Sequence, residues 1–399
     1  MMVKKAAAAA ATGAWTGAGV SDGKGVLKKA GASARTAAGS FALLLACVLL
    51  LNRRYDAAAG VAAGITTCLT SLIPSLFPFV VLACVVSKSP AAEVLFRPLA
   101  PVMRILFRLP AAAAPALVFG LTAGYPTGAK ITAGLLESGK LTREQAARLM
   151  LFCTAPGFAF AASYVGPVLG SFHTGLLLFA ATGLAPLILG TVLARFAPPV
   201  ERERRASLSD GAGRTGRDGF SAAVRDGVSA MVNLCAFVVV FSAVLSVLRG
   251  AGFFRAASAF LARLGLTLPL ADTLLTFLIE VTAGTDGVIF WHLSAEVAAF
   301  GLGFAGLCIH MQLFSFFRGR PLPLSRAVYF LSRVLNGFLC AACYRALAYF
   351  FPAAEPAAVM TSPALAAVPA AGTWVGSLFL VMMSVIFLVA AKDKKDRTS

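Results

Sequence analysis

The sequence has little charge, and acidic residues are especially scarce for its length. Of 399 residues, 13% are charged and only 17 are Asp or Glu. Soluble domains carry about 25% charged and about 45–50% apolar residues. Here 59% of residues are apolar before glycine is counted, and the mean hydropathy is +0.83. Because no compact shape hides so much apolar surface from water, the composition excludes a cytosolic enzyme, a disordered chain and a disulfide-stapled secreted domain. It predicts lipid as the solvent.

Signatures of catalysis and metal binding are also missing. The sequence contains no HExxH or GxSxG motif and no paired carboxylates that would support hydrolysis. Its eight cysteines lie within or beside apolar stretches, as small buried side chains do. Cys340 and Cys343 have the spacing of a redox or zinc site, but no second cysteine pair accompanies them. We therefore expect no enzymatic activity, no metal site and no cofactor.

The positive charge is arranged as in a membrane protein. The formal net charge is +18, and the cations concentrate in tracts near the N-terminus, at 202–225 and at 392–397. Tracts of Lys and Arg that flank apolar runs mark the cytoplasmic side of a membrane. A nucleic-acid partner would instead need a basic face that reaches phosphates or bases. The pattern predicts the lipid bilayer as partner and no nucleic acid.

Composition changes along the chain predict its organisation. The outer parts are a disordered basic tail at 1–36, a first transmembrane helix at 37–56, and a C-terminal transmembrane helix with a basic tail at 352–399. A cleaved signal peptide is the alternative for the first helix. Between them lie two apolar halves, 57–197 and 223–351, which a polar linker at 198–222 separates. Each half also holds a segment of lower hydropathy, at 92–108 and 252–265, and the first suits a helix on the membrane surface.

The two halves resemble one another. A shift of 160 residues places Phe77 on Phe237 and Thr122-Ala123-Gly124 on Thr282-Ala283-Gly284 without a gap. Internal duplication is the usual plan of secondary transporters. We therefore predict an all-α polytopic membrane protein made of two similar helical repeats with Gly/Pro-interrupted helices. Whether the second repeat is inverted stays open, because it depends on the number of crossings in each half.

The first half contains an interrupted segment, 120–130. Glycines recur there every four residues, and Pro126 removes a backbone donor, so a regular helix should break. A broken helix in a bilayer offers N–H groups and a positive dipole end to an anion. We predict substrate binding by residues that supply backbone, hydroxyls or charge: Thr122, Gly124, Tyr125, Pro126, Thr127, Gly128 and Lys130. The alternative is a kinked packing helix with Lys130 reaching the interface.

The matching segment of the second half carries two carboxylates, Glu280 and Asp286. Ionisable groups in apolar segments are costly, so a role in substrate, ion or proton handling is expected. Pairing with Lys130 or Arg333 is the alternative. The other predicted residues are Thr282, Gly284 and Thr285 for substrate binding and His310, Gln312 and Asn336 for the pathway. For the last group, ordinary interhelical hydrogen bonds are the alternative. The two interrupted segments should meet near the bilayer midplane.

Several of these stretches together resemble a known family. Residues 119–131, with Gly-Tyr-Pro-Thr-Gly-Ala-Lys at their centre, are similar to YlbJ-type sporulation integral membrane proteins, as are 139–148, 152–157 and 303–312. The resemblance covers about 57–351 and implies a nucleoside-recognition (gate) domain repeat in each half. It also implies a multi-pass protein of the outer forespore membrane.

The resemblance implies a function as well. It points to transport of a small anionic solute, dipicolinate, into the developing spore, with Glu280 or Asp286 suited to carry a coupling proton or cation. One alternative is a non-transporting gate or scaffold protein of a sporulation complex, and another is a nucleoside-type carrier. Apart from the residues named above, the sequence offers few polar groups, so the identity of the solute depends on the resemblance alone.

Overall fold

The regular structure is helical throughout the part of the chain that the computed structural model describes. This part comprises residues 39–41, 44–88, 91–196, 217–317, 319 and 322–352 and holds no strand. The predicted tail at 1–36, most of the linker at 198–222 and nearly all of the C-terminal segment 352–399 lie outside it. Residues 44–52, in the predicted first transmembrane helix, are helical.

Five helices of the described residues are long and apolar enough to cross a membrane. They are Arg54–Val86, Phe172–Arg195, Phe220–Gly250, Ala295–Ser315 and Arg326–Phe350. Their outward faces expose aliphatic and aromatic side chains such as Val232, Leu331 and Phe338, as helices surrounded by lipid do. The prediction of an all-α polytopic membrane protein is confirmed.

The first half contains two long helices with shorter elements between them. Its α-helices are α1 (Arg54–Thr67), α2 (Ile73–Lys88), α3 (Ala91–Phe96), α4 (Ala100–Ile105), α5 (Ala114–Thr122), α6 (Tyr125–Glu137), α7 (Arg143–Leu149), α8 (Gly166–Val168) and α9 (Phe172–Arg195). A π-helical turn, Cys68–Leu72, joins α1 to α2, and a second one, Ala159–Val165, precedes α8. In the predicted surface segment, Pro98 and Pro101 fall at the starts of a 3₁₀ turn and of α4, where a missing N–H costs little.

The second half follows a similar order. It consists of α10 (Arg217–Gly250), α11 (Phe253–Arg263), α12 (Leu268–Ile279), α13 (Val281–Phe290), α14 (Ala295–Phe304), α15 (Gly306–Ser315) and α16 (Arg326–Phe350). In each half a long helix leads into short surface elements, then into a pair of half-length helices, and finally into a second long helix. Helix α11 occupies the segment of lower hydropathy at 252–265.

The long first helices of the two halves pack closely and run antiparallel. Gly60 of α1 lies against Ser242 and Ser246 of α10, and Gly64, one turn later, lies against Val239. At the other end of the pair, Gly227 packs on Val81. The glycines permit this approach, because a side chain at Gly64 would lie 2.8 Å from the Val239 Cα atom.

The long last helices, α9 and α16, are also antiparallel. Thr174, near the start of α9, lies beside Tyr344, near the end of α16. Further along α9, Gly190 packs on the Phe152 ring, and the neighbouring Leu151 carbonyl accepts a hydrogen bond from Arg333. Opposite directions of the matching helices are what an inverted second copy requires. The duplication itself stays a prediction.

We predict opposite effects for two Gly→Ala substitutions on α6. A Cβ atom at Gly128 would lie 2.8 Å from the Gly120 Cα atom, whereas nothing lies within 4 Å of one at Gly134. Gly128→Ala should therefore destabilise the protein by about 1–3 kcal/mol through overpacking. Gly134→Ala should be neutral or stabilising by up to about 1 kcal/mol, because alanine favours helix. Thermal unfolding of both variants in detergent measures the difference, and equal melting temperatures would contradict the close packing.

Candidate functional site

The first helix break lies where the sequence predicts it. Helix α5 ends at Thr122 and α6 begins at Tyr125. Between them Gly124 has φ 111°, a conformation that residues with a side chain rarely adopt. Pro126 occupies the first turn of α6, where its missing N–H leaves no bond unmade. Glycine and proline together stop one helix and start the next.

A non-helical segment, 153–157, crosses this break and supplies a hydrogen-bond donor to its backbone. The Cys153 carbonyl fits between Gly120 and Gly128, and the Ala155 N–H donates to the Gly120 carbonyl at 3.1 Å. A Cβ atom at Gly157 would lie 2.8 Å from the Gly124 nitrogen. Two of the motifs behind the resemblance, 119–131 and 152–157, therefore pack against each other, backbone to backbone.

The second break is made by Glu280, not by a glycine. Helix α12 ends at Ile279, Glu280 is extended, and α13 begins at Val281. The Glu280 carboxylate accepts hydrogen bonds from the Thr282 N–H at 3.0 Å and the Ala283 N–H at 2.7 Å. It caps the positive end of α13 and is only 2% exposed. The break falls one helical turn before Gly284, the partner of Gly124 in the 160-residue register.

The two breaks line one cavity, as the sequence analysis predicts. Its volume is about 40 Å³, which holds a few water molecules at most. Six of the predicted site residues line it, and the rest of the wall is largely apolar. The predicted residues are Gly124, Tyr125, Pro126, Glu280, Thr282 and Gln312, and the others include Leu72, Leu76, Pro156, Phe160, Leu234, Val238, Val281 and Ile309. A solute larger than water requires the surrounding helices to move apart.

A third break lies beside the cavity, between α14 and α15. Ala305 and Gly306 both have positive φ there, 78° and 73°. The break leaves the last carbonyls of α14 without their usual helical partners. Three side chains from three helices donate to them: Tyr125 Oη to Leu302 at 2.6 Å, Asn336 Nδ2 to Gly303 at 2.9 Å and His310 Nε2 to Phe304 at 2.8 Å. This break is not among the sequence predictions, although the glycines at 301, 303 and 306 are a signal for it.

Three further predicted residues have internal partners in this structure. Lys130 Nζ donates to the Asp226 carbonyl on α10 and lies away from the cavity wall. The hydroxyls of Thr122 and Thr285 bond the carbonyls of Val118 and Val281, each one turn earlier in its own helix. None of these three residues forms part of the cavity wall.

The remaining predicted residues lie around the cavity without forming part of its wall. Asp286 accepts a hydrogen bond from the Tyr164 hydroxyl at 3.4 Å. Gly284 packs beside the Phe277 ring. Thr127 is buried, and its hydroxyl has no hydrogen-bond partner within the described part of the chain.

The sequence suggests Arg333 only as an ion-pair partner for the carboxylates, whereas in the structure it is buried and has a different role. Its guanidinium, fully enclosed, donates to the Leu151 carbonyl and to Thr154 Oγ1 at 2.7 Å. These acceptors follow the C-terminal end of α7, where a positive charge interacts favourably with the negative end of the helix dipole. Among the described residues, neither Arg333 nor Lys130 forms a salt bridge with Glu280 or Asp286.

We predict that Tyr125→Phe destabilises the protein although it keeps the ring. The substitution leaves the buried Leu302 carbonyl without a donor, which costs about 1–3 kcal/mol. Tyr349→Phe is the matched control, because Tyr349 is 80% exposed and should tolerate the change within about 0.5 kcal/mol. Melting temperatures in detergent compare the two variants, and equal values would show that the Tyr125 hydroxyl contributes nothing to the fold.

Comparison with known proteins supports the prediction of a membrane protein and the resemblance to YlbJ-type proteins. The sporulation integral membrane protein YlbJ of Bacillus subtilis (strain 168) is 27% identical over 270 residues, which cover 61% of this chain. The match spans 65% of that relative's length. No family model and no solved structure matches the chain, so the gate-domain repeats stay a prediction. The similarity and the apolar helices confirm a multi-pass membrane protein that resembles the YlbJ-type sporulation integral membrane proteins.

Proposed function

We propose that the protein carries a small anionic solute across the membrane and binds it in the cavity between the two helix breaks. The resemblance points to dipicolinate, a planar dianion, moved into the developing spore. The observation behind the proposal is that α6 and α13 both begin at the wall of one buried cavity. A helix N-terminus carries about half a positive elementary charge. Two of them at one apolar cavity favour an anion.

Glu280 already occupies the place that a solute carboxylate would take. Its two oxygens accept the first free N–H groups of α13, so the helix end is filled by the protein's own anion. A carboxylate holds such N–H groups more strongly than a neutral acid does. When Glu280 takes up a proton, its hold on α13 weakens and the N–H groups become available to the solute. Solute binding is thereby coupled to the uptake of one proton by Glu280.

The cavity also requires a conformational change. Its volume of about 40 Å³ is far too small for an aromatic dicarboxylate. Alternating access supplies the change, because the half-helices around the breaks are shorter than a bilayer crossing and can shift against the long helices. Tyr125 donates to Leu302, and so it links α6 of the first half to α14 of the second across the site.

The small cavity also favours the second candidate, a gate or scaffold protein of a sporulation complex that moves no solute. The breaks would then serve only the packing of the two halves. Reconstituted protein distinguishes the candidates, because a scaffold gives no saturable uptake of any solute into liposomes.

We predict that Glu280→Gln abolishes proton-driven accumulation but retains exchange. Gln cannot carry a proton through the cycle, so dipicolinate should equilibrate in counterflow without concentrating when the outside is made acidic. Glu296→Gln is the matched control, because Glu296 pairs with Arg345 at 3.7 Å, away from the cavity. Uptake of labelled dipicolinate by proteoliposomes, with and without a pH gradient, measures both activities.

Two outcomes would contradict the proposal in different ways. Accumulation by Glu280→Gln equal to that of the unmodified protein would remove Glu280 as the coupling group and leave transport intact. A lack of saturable uptake by the correctly folded, unmodified protein would remove transport itself and favour the scaffold.

A further inference from the structure

A second cavity lies at one end of the helix bundle, away from the helix breaks. It forms where α10 ends, α11 crosses the surface and α12 begins, and its volume is about 290 Å³. This is near the lower limit of small-molecule pockets. Unlike the first cavity, it is open and contains two cations in its wall, Arg249 and Arg255. None of the predicted site residues contributes to it.

One of the cations is held in place by the protein. The Arg249 guanidinium donates to Asp272 at 3.2 Å and to Thr276 Oγ1 at 2.8 Å. It also lies over the Phe254 ring, 4.9 Å from the ring centre. Asp272 therefore balances the charge of Arg249 through one of its carboxylate oxygens. No acidic side chain of the described residues forms a salt bridge with Arg255, so its positive charge remains for a ligand.

Ser258, in the wall of the cavity, has a hydroxyl without a hydrogen-bond partner among the described residues. The residue is 5% exposed. A buried donor without an acceptor is costly. Ser258 and Arg255 lie on the same helix and line the same cavity, so an oxyanion in the cavity would supply the missing acceptor to the one and a counter-charge to the other.

The surroundings place this cavity at the level of lipid headgroups. Helix α11 is amphipathic: Phe254 and Ser258 face inward, whereas Phe253 and Phe260 are exposed. Trp291, at the cavity wall, is exposed as well. Exposed aromatic side chains are typical of membrane interfaces, and amphipathic helices of this kind lie in the interfacial plane.

We propose that this cavity binds the phosphate of an anionic phospholipid headgroup. The phosphate oxygens accept hydrogen bonds from Arg255 and Ser258, and the acyl chains extend over the exposed phenylalanines of α11. Lipid is the source of the phosphate because the bilayer presents headgroups at this level at high local concentration. An anionic lipid is preferred over a zwitterionic one, because the cavity wall holds two arginines and a single carboxylate, Asp272, which already pairs with Arg249.

Tryptophan fluorescence can test the proposal on the full-length protein. The sequence contains three tryptophans, so Trp15→Phe with Trp374→Phe leaves Trp291 as the only one. Mixed micelles would contain brominated phosphatidylglycerol or brominated phosphatidylcholine as quencher. We expect the anionic lipid to quench Trp291 at about fivefold lower mole fraction than phosphatidylcholine does. One arginine without a counter-charge provides about that much extra affinity for an anionic headgroup. Equal quenching by the two lipids would overturn the proposal.

Variants on the same helix supply the matched comparison. Arg255→Gln should remove the fivefold preference, because it removes the charge. Ser258→Ala should reduce the preference, because it removes the hydroxyl donor while alanine preserves the helix. Arg263→Gln changes the same charge on α11 but lies outside the cavity wall, so it should keep the preference. Equal losses in Arg255→Gln and Arg263→Gln would indicate general surface attraction and contradict a specific site.

Inorganic phosphate distinguishes the two sources of the ligand. In micelles of neutral detergent, millimolar sodium phosphate should leave the Trp291 emission unchanged and should not relieve quenching by brominated phosphatidylglycerol. Saturable changes with phosphate alone would assign the cavity to a free oxyanion and overturn the lipid assignment.

Discussion

Each helix break in an apolar interior frees backbone N–H and carbonyl groups that lipid cannot bond, and protein groups must satisfy them. This requirement explains most of the buried polar side chains in a chain that has few of them. Glu280 takes the free N–H groups of α13, and Tyr125, Asn336 and His310 take the free carbonyls of α14. Arg333 serves the segment after α7 in the same way. The polar residues and the breaks therefore depend on each other.

The same requirement makes the breaks suitable as a binding site. A regular helix consumes its own hydrogen-bonding groups, whereas a broken one presents them to whatever lies beside it. Here the occupant of the α13 end is Glu280, a group whose charge changes with one proton. In the proposed mechanism a solute carboxylate takes its place and accepts the same two N–H groups of α13. Under the proposed function, capping of α13 and binding of the solute would use the same N–H groups in turn.

The lipid site proposed at α11 depends on different physics. Its cations lie at the surface, where salt and water weaken electrostatic attraction, so its proposed preference for an anionic lipid requires Arg255 and the buried Ser258 hydroxyl to act together. This site would anchor one end of the bundle in the headgroup layer while the half-helices move. Transport and lipid binding can be tested separately, because Arg255 and Ser258 line a cavity that shares no residue with the one between the breaks.

The sequence by itself determined the membrane character, the helical fold and the first break, because hydropathy and the Gly124–Pro126 signal act locally. It also indicated that two interrupted segments meet. Only the tertiary structure decided where the second helix breaks and how polar residues pair. Glu280 stops a helix through a cap that no glycine or proline marks, and Ala305 adopts a positive φ that alanine alone does not favour. Lys130, a candidate by composition, bonds a distant carbonyl, because such partners depend on how helices far apart in the chain come together.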